Sequence, residues 1–369
     1  MHLTRRLPVV EYGDRFTKRR THVESEKRHE PPLRIVAWEL TRRCNLSCVH
    51  CRAAAADEPV EGELTTAQVV SVMDDIARVA RPLVILTGGE PMLREDLFEI
   101  IRAGRTRGFT IAVASNGTLL DETAARRMKR AGVHRVSISL DGAGARSHDA
   151  FRGVPGAFEA AMKGCRACRA VGLPFQINTT VTARNVDEVE PLLRLAAEVG
   201  AVAYDVFMLV PVGRGEDLAD VELSAPAQER LLNWLYEQYR RAPIPVKATC
   251  APHFQRILRQ RGESEGIRVD TTSRGCLAGR SFVFIGNTGE VQPCGYLPIR
   301  CGNVLAEGFA EIWKTSEVFR KLRDDGALSG KCGRCEYVEV CGGCRARAYA
   351  GTGDYLGPEP FCSYQPGGA

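Results

Sequence analysis

Three cysteines stand within eight residues, Cys44-Asn45-Leu46-Ser47-Cys48-Val49-His50-Cys51, a C-x3-C-x2-C cluster. Soft thiolate sulfur suits iron, and a loop this short can wrap one face of a cubane 4Fe-4S cluster, giving ligands to three of its irons. The fourth iron then lacks a protein ligand. A cluster meant only for electron transfer is normally closed by four ligands, so an open iron points to a site where a small molecule meets the metal. Zinc loops use cysteines at comparable spacing, and spacing alone leaves that reading open.

The elements around the cluster must position it. Residues 35–40, Ile-Val-Ala-Trp-Glu-Leu, read as a buried strand immediately before it. Val84-Ile85-Leu86-Thr87-Gly88-Gly89-Glu90-Pro91 is a second apolar strand, ending in a Gly-Gly turn and a carboxylate. From about 34 to 211 strand-like and helix-like segments alternate, with further strands expected at 110–114, 135–140, 175–180 and 204–209. Thr65 and Gln68 form a capping box ahead of Val69, Met73 and Ile76. A helix after Ser224 is expected to bury Leu231, Leu232, Leu235 and Tyr239. Six β/α units predict an α/β fold, a partial (β/α)6 barrel with an open side wide enough for a bulky substrate.

Ligands of parallel α/β sheets lie at the carboxyl ends of the strands. Those ends carry polar residues here: Ser115 and Asn116, Ser139 and Asp141 with Arg152 soon after, and Gln176, Asn178 and Thr180 alternating along one strand. Asn-Gly and Asp-Gly also make ordinary turns, so each of these residues has a purely structural reading beside the functional one.

Past Arg274 the composition shifts. Cys332-x2-Cys335-x5-Cys341-x2-Cys344 follows Cys276 and Cys294 and precedes Cys362, a strong metal pattern that zinc ribbons also approach. Residues 282–291 read as a β-hairpin beside it. His253, just after Cys250, is a candidate catalytic residue, as iron ligand or proton donor. Cys165 and Cys168 form another C-x2-C on a helix-like segment without partners and read as packing or surface thiols. The expected organisation is a basic extension at 1–32, the barrel at 33–245, and a bridge with a cysteine-rich iron–sulfur domain at 246–369.

Composition bounds the rest. At 369 residues, 44% hydrophobic and 26% charged, the chain is ordinary globular material. A net charge of +5 permits an anionic substrate and does not call for nucleic acid. No apolar run reaches a membrane span and no secretory signal is visible, so 14 cysteines point to metal binding in a reducing cytoplasm rather than to disulfides.

Strand, C-x3-C-x2-C, helix, strand and G-G-E-P, in this order, resemble the radical S-adenosylmethionine (SAM) enzymes. The resemblance implies that the SAM amino and carboxylate groups chelate the open iron. It also implies that Gly88, Gly89, Glu90 and Pro91 hold the SAM ammonium, and that Asn116, Ser139, Asp141, Arg152 and Asn178 contact its ribose, carboxylate and adenine. Cys276-x12-Gly289-x4-Cys294, the four-cysteine block and Cys362 are similar to the SPASM or twitch extension of that superfamily, although the extension usually ends its block in C-x3-C. This implies one or two auxiliary 4Fe-4S clusters on Cys276, Cys294, Cys332, Cys335, Cys341, Cys344 and Cys362, with Cys250 making eight. The runs 249–253, 293–304 and 341–349 resemble radical SAM enzymes of alternative haem biosynthesis, nearest to those that convert iron-coproporphyrin III to haem b. The implied chemistry is hydrogen abstraction from a propionate β-carbon by a 5′-deoxyadenosyl radical and loss of carbon dioxide to leave a vinyl group, twice over. The implied partners are an iron-coproporphyrin III-like tetrapyrrole and an electron donor such as flavodoxin or ferredoxin, with Arg214, Arg256, Arg345 and Arg347 as candidate propionate contacts. Sister enzymes of haem d1 precursors and peptide-modifying maturases share the extension. A non-catalytic metal-binding protein is the reading from another class, and the G-G-E-P turn with its open three-cysteine site weighs against it.

Overall fold

The computed structural model describes residues 31–58, 60–265 and 274–367. The basic arm expected at 1–32 lies outside them except for Pro31 and Pro32. Ten strands form one sheet: β1 (Ile35–Glu39), β2 (Leu83–Thr87), β3 (Thr110–Ser115), β4 (Val133–Ser139), β5 (Phe175–Val181), β6 (Tyr204–Met208), β7 (Val246–Thr249), β8 (Phe282–Ile285), β9 (Glu290–Gln292) and β10 (Gly302–Asn303). Their order is β10-β9-β8-β1-β2-β3-β4-β5-β6-β7. Every pairing from β8 to β7 is parallel, and the β8–β9 and β9–β10 pairings are antiparallel, so β9 runs against the other strands. Among the described residues the edges β7 and β10 do not pair, so the sheet is not closed.

Helices cross between the strands: α1 (Thr66–Val79), α2 (Leu97–Thr106), α3 (Glu122–Ala131), α4 (Ala145–Arg152), α5 (Ala157–Val171) and α6 (Val189–Val199), followed by α7 (Ala225–Arg241) and α8 (His253–Ser264). The capping box at Thr65 and Gln68 opens α1, as its sequence predicts. In α7 the buried stripe is Gln228, Leu231, Leu232, Leu235 and Tyr236. Tyr239, expected on that stripe, is 54% exposed. Successive helical residues turn by about 100°, and Tyr236 rather than Tyr239 completes the arc facing the sheet.

Alternation along each strand separates two faces. Val36, Trp38, Val84, Leu86, Val113, Val136, Ile138, Ile177 and Val206 are fully buried beneath the helices. Each such side chain contributes about 1.5–3 kcal/mol when removed from water. The opposite, inner face carries Thr87, Ala114, Ser137, Ser139, Asn178 and Thr180, small or polar and half-buried. These are the residues that leave space inside the barrel.

The six strands read from periodicity are all present, with ends shifted by at most two residues. Four more, β7 to β10, join the same sheet. β7 pairs with β6 from within the stretch expected as a bridge, and β8 of the expected hairpin pairs in parallel with β1. The C-terminal third is therefore continuous with the barrel sheet.

Candidate active site

The cysteine loop leaves β1 and is pinned to several elements at once. Gly89 N–H donates to the Thr41 carbonyl at 2.7 Å, Glu90 N–H to Arg43 at 2.8 Å, and Ser47 and Val49 N–H to Arg152 and Phe151 at 3.1 and 3.0 Å. Arg214 clamps it from the far side, donating to the carbonyls of Cys48 and Ala55 at 2.8 Å each. Gly88 and Gly89 are glycines because the turn lies flat on this loop: an added Cβ would fall 2.4 Å from the Thr41 oxygen or 2.3 Å from the Arg43 oxygen.

Cys44, Cys48 and Cys51 gather in one small apolar patch with Leu46, Ala53 and Ala55. Each sulfur accepts an N–H: Asn116 Nδ2 at 3.9 Å from Cys44, Arg152 at 3.6 Å from Cys48, and Ala55 N at 3.4 Å from Cys51. Burial, with the charges of Glu90, Cys48 and Cys51, pushes the Cys44 thiol up to about 11. Three converging thiols with polar donors at their sulfurs fit a set of metal-bound thiolates, which need no proton of their own.

Glu90 is wholly buried, accepting from Met92 N at 3.0 Å, Asn116 N at 2.7 Å and Ser115 Oγ at 2.9 Å. Burial pushes its carboxyl up to about 7 against those hydrogen bonds. Its side chain thus braces the end of β3 against the Gly-Gly turn. Asn116 reaches Asn45 Oδ1 at 2.8 Å and so ties β3 to the cysteine loop.

Asp141 and Arg152 form a buried pair at 2.6 Å, with His50 Nε2 3.5 Å from the same carboxylate oxygen. Burial acts to raise the Asp141 carboxyl, but Arg152, His50, His148 and the Thr180 amide hold it below the usual range. Burial holds His50 and His148 neutral, each down to about 4. Ser139 and Asn178 face each other in register on β4 and β5, one strand further along, where Asn178 Oδ1 accepts from Gln176 at 2.8 Å. Asn116, Asp141 and Arg152 thus reach the cysteine loop, and Ser139 and Asn178 line the neighbouring inner face.

Two residues at this site are absent from the sequence expectation. Glu39, fully buried at the end of β1, pairs with Arg42 at 2.8 Å and Arg52 at 2.7 Å. Arg52 also lies 4.5 Å above the Phe284 ring and donates to the Gly295 carbonyl at 3.4 Å. A carboxylate at the end of an apolar strand, Ile-Val-Ala-Trp-Glu, was the available signal.

The C-terminal cysteines fall into two groups. Cys250, Cys276, Cys294 and Cys344 interact with one another: contact with Cys344, then burial, pushes Cys250 up, and burial pushes Cys294 up to about 12. Cys332, Cys335, Cys341 and Cys362 line a single cavity. Its sulfurs accept from Glu359 N at 3.3 Å and Arg345 at 3.7 Å on Cys332, and from Gly343 N at 3.5 Å on Cys341. Cys341 and Cys344 belong to different groups although only two residues separate them. Gly342 and Gly343, both at positive φ (71° and 61°), reverse the chain between them. Among the described residues no three His, Cys, Asp or Glu side chains are placed to share one metal ion. Thiolates around a cubane stand further apart than around one zinc at about 2.3 Å.

The first group adjoins the barrel. Arg52 reaches Gly295 from the cysteine loop, and the half-buried Tyr296 hydroxyl, raised by burial, feels Cys250, Cys294 and Cys51 together. His253 lies elsewhere, wholly buried on the lining of the cavity with Cys332, Cys335, Cys341 and Cys362. Burial holds it neutral, down to about 3.

The four arginines expected at propionates are engaged within the protein. Arg214 holds the cysteine loop, and Arg256 pairs with Glu229 at 2.5 Å. Arg345 donates to the Gly343, Tyr355 and Gly357 carbonyls, and Arg347 pairs with Glu359 at 2.7 Å. A guanidinium beside a cysteine in sequence is as readily a clamp as a ligand. Cys165 and Cys168 are buried in α5, which favours packing over the surface reading. No helix among the described residues is long and apolar enough to cross a membrane.

Comparison with known proteins supplies the family. Residues 38–222 match the radical SAM superfamily, and residues 276–345 match an iron–sulfur cluster-binding domain, SPASM. The chain is 50% identical to AdoMet-dependent heme synthase of Methanosarcina barkeri, over 90% of this chain and 97% of that protein. It is 49% identical to the protein of the same name from Nitratidesulfovibrio vulgaris, over 91% and 94% of the two chains. The crystal structure of Streptococcus suis SuiB bound to S-adenosylmethionine shares the fold, with a TM-score of 0.73 at 16% identity over 91% of this chain and 78% of that one. A radical SAM domain and an iron–sulfur domain together imply SAM and 4Fe-4S clusters as cofactors, and the thiol groups above fit them. The chain belongs to the radical SAM superfamily, in the family of the AdoMet-dependent heme synthases.

Proposed function

We propose that the protein converts two propionate side chains of iron-coproporphyrin III to vinyl groups, releasing carbon dioxide and yielding haem b. The observation that supports it best is half-identity to heme synthases across almost their whole length. When bound, the SAM–cluster pair supplies a 5′-deoxyadenosyl radical able to remove a hydrogen atom from an unactivated carbon.

The residues then divide the work. Cys44, Cys48 and Cys51 hold the SAM-binding cluster, and Cys250, Cys276, Cys294 and Cys344 with Cys332, Cys335, Cys341 and Cys362 hold two closed auxiliary clusters. Glu90 is engaged internally, which leaves the Gly88–Gly89 backbone to meet the SAM ammonium, and Glu90 fixes that turn. Asn116, Asp141 and Arg152 orient the mouth of the site, while Ser139 and Asn178 face the inner space. The small inner-face residues Ala114, Ser137 and Ser139 leave room for a macrocycle. The open barrel edge admits it, and the packed strands exclude water that would quench a radical. A low-potential carrier such as flavodoxin or ferredoxin is the proposed electron source.

The test is anaerobic incubation of cluster-reconstituted protein with dithionite, SAM and iron-coproporphyrin III, with products followed by mass spectrometry. Loss of two carboxyl groups alongside 5′-deoxyadenosine is expected. SAM cleavage with the porphyrin unchanged would refute the substrate.

A further inference from the structure

His253 opens α8 and is wholly buried, yet neither ring nitrogen has a hydrogen-bond partner among the described residues. A buried imidazole without partners is costly, and each such group calls for an explanation. The ring lines the cavity formed by Cys332, Cys335, Cys341 and Cys362. Several other polar side chains on that lining have partners elsewhere. Arg256 pairs with Glu229 and Glu359 with Arg347, Lys331 donates to the Cys362 carbonyl, and Tyr364 donates to Glu336. Arg345 already donates to the Cys332 sulfur from beside the cavity, and His253 is the wholly buried side chain on the lining with neither nitrogen engaged.

In either protonation state an imidazole carries at least one N–H. The acceptors on this lining are the cysteine sulfurs, the sulfides of a bound cluster, and the Glu359 carboxylate, whose oxygens already accept from Arg347 and from the Cys344 and Phe361 amides. Four cysteines already supply four ligands, so the imidazole is not needed on iron. We propose that His253 donates a hydrogen bond to a sulfur of the cluster held by Cys332, Cys335, Cys341 and Cys362, and thereby raises its reduction potential. The inference rests on the ligand sets proposed above. A donor to sulfur stabilises the reduced, more negative cluster over the oxidised one. His253 is a tuning residue at the cavity and does not touch substrate.

The test is an EPR-monitored redox titration of the fully reconstituted enzyme, with electron–nuclear double resonance on the unaltered protein. Cys335→Ala identifies the signal of this cluster. In unaltered protein that signal should show a proton that exchanges in deuterium oxide and disappears in His253→Leu. The equilibrium constant for reducing this cluster should fall roughly tenfold in His253→Leu, about 59 mV for a one-electron couple. His253→Asn, which keeps an N–H, should recover part of it, with the other signals unmoved. An unchanged potential in His253→Leu, or strong coupling to labelled histidine nitrogen showing direct ligation, would overturn the proposal. Iron and sulfide enough for only two clusters would instead remove the ligand sets themselves, a separately recognisable failure.

Discussion

The cysteine loop at the barrel mouth and the two cysteine groups of the C-terminal third solve different problems with the same side chain. The loop gathers three sulfurs and is positioned from outside, by β2, α4 and Arg214. Each C-terminal group gathers four and is closed by its own turns, with Gly342 and Gly343 dividing one short block between them. On the proposed ligand sets, three ligands would leave an iron for SAM, while four would leave a cluster only electrons to exchange. On that proposal, what separates a reactive centre from a conducting one is the number of sulfurs and the elements that hold them.

The comparison breaks most sharply at the loop. Cys48→Ala is expected to abolish SAM cleavage, read as 5′-deoxyadenosine by mass spectrometry, while the iron of the C-terminal groups stays bound. Persistent cleavage would mean that the loop is not the reactive centre.

Next in size is Arg347→Met. Arg347 and Glu359 are both about 1% exposed and pair at 2.7 Å, and Arg347 also donates to the Leu209 and Cys250 carbonyls. Removing one partner of a buried pair costs about 3–5 kcal/mol. The melting temperature should drop and iron should be lost from the Cys250 group before the loop. Equal loss from both would contradict the division.

Gly89→Ala probes the opposite side. Its Cβ would sit 2.3 Å from the Arg43 oxygen, so the turn must shift at a cost of about 1–3 kcal/mol. SAM affinity should weaken, measured by calorimetry on the oxidised protein, with C-terminal cluster spectra unchanged.

The smallest effect lies at the joint between the regions. Burial and the neighbouring Glu359 raise the Glu222 carboxyl from 4.5 to about 7, with Arg347 opposing. A raised carboxyl contributes stability fully below its unfolded value and loses it as pH climbs through its folded value. Glu222→Gln should therefore gain on the unaltered protein between pH 4.5 and 7 in melting experiments. A constant difference across that window would place no titration there.

Much of this was legible in sequence because it is local. Cys44, Cys48, Cys51 and the Gly-Gly turn are defined by spacing within one loop, and the six strands by alternation within five to seven residues. What escaped is non-local. Nothing near Phe282 announces that β8 will pair with Ile35 across most of the chain. Periodicity cannot show that Arg347 reaches Glu359, or that His253 turns to the cavity of Cys332, Cys335, Cys341 and Cys362. Cys250 had the right chemistry, yet its place among Cys276, Cys294 and Cys344 depends on three separate chain segments meeting.

The most direct test of the central claim is an EPR experiment on the reduced, fully reconstituted enzyme with and without SAM. The account predicts that SAM alters one cluster signal, and that this signal is the one absent from Cys48→Ala. A SAM-induced change that survives in Cys48→Ala, or one borne by a signal lost in Cys335→Ala, would contradict it.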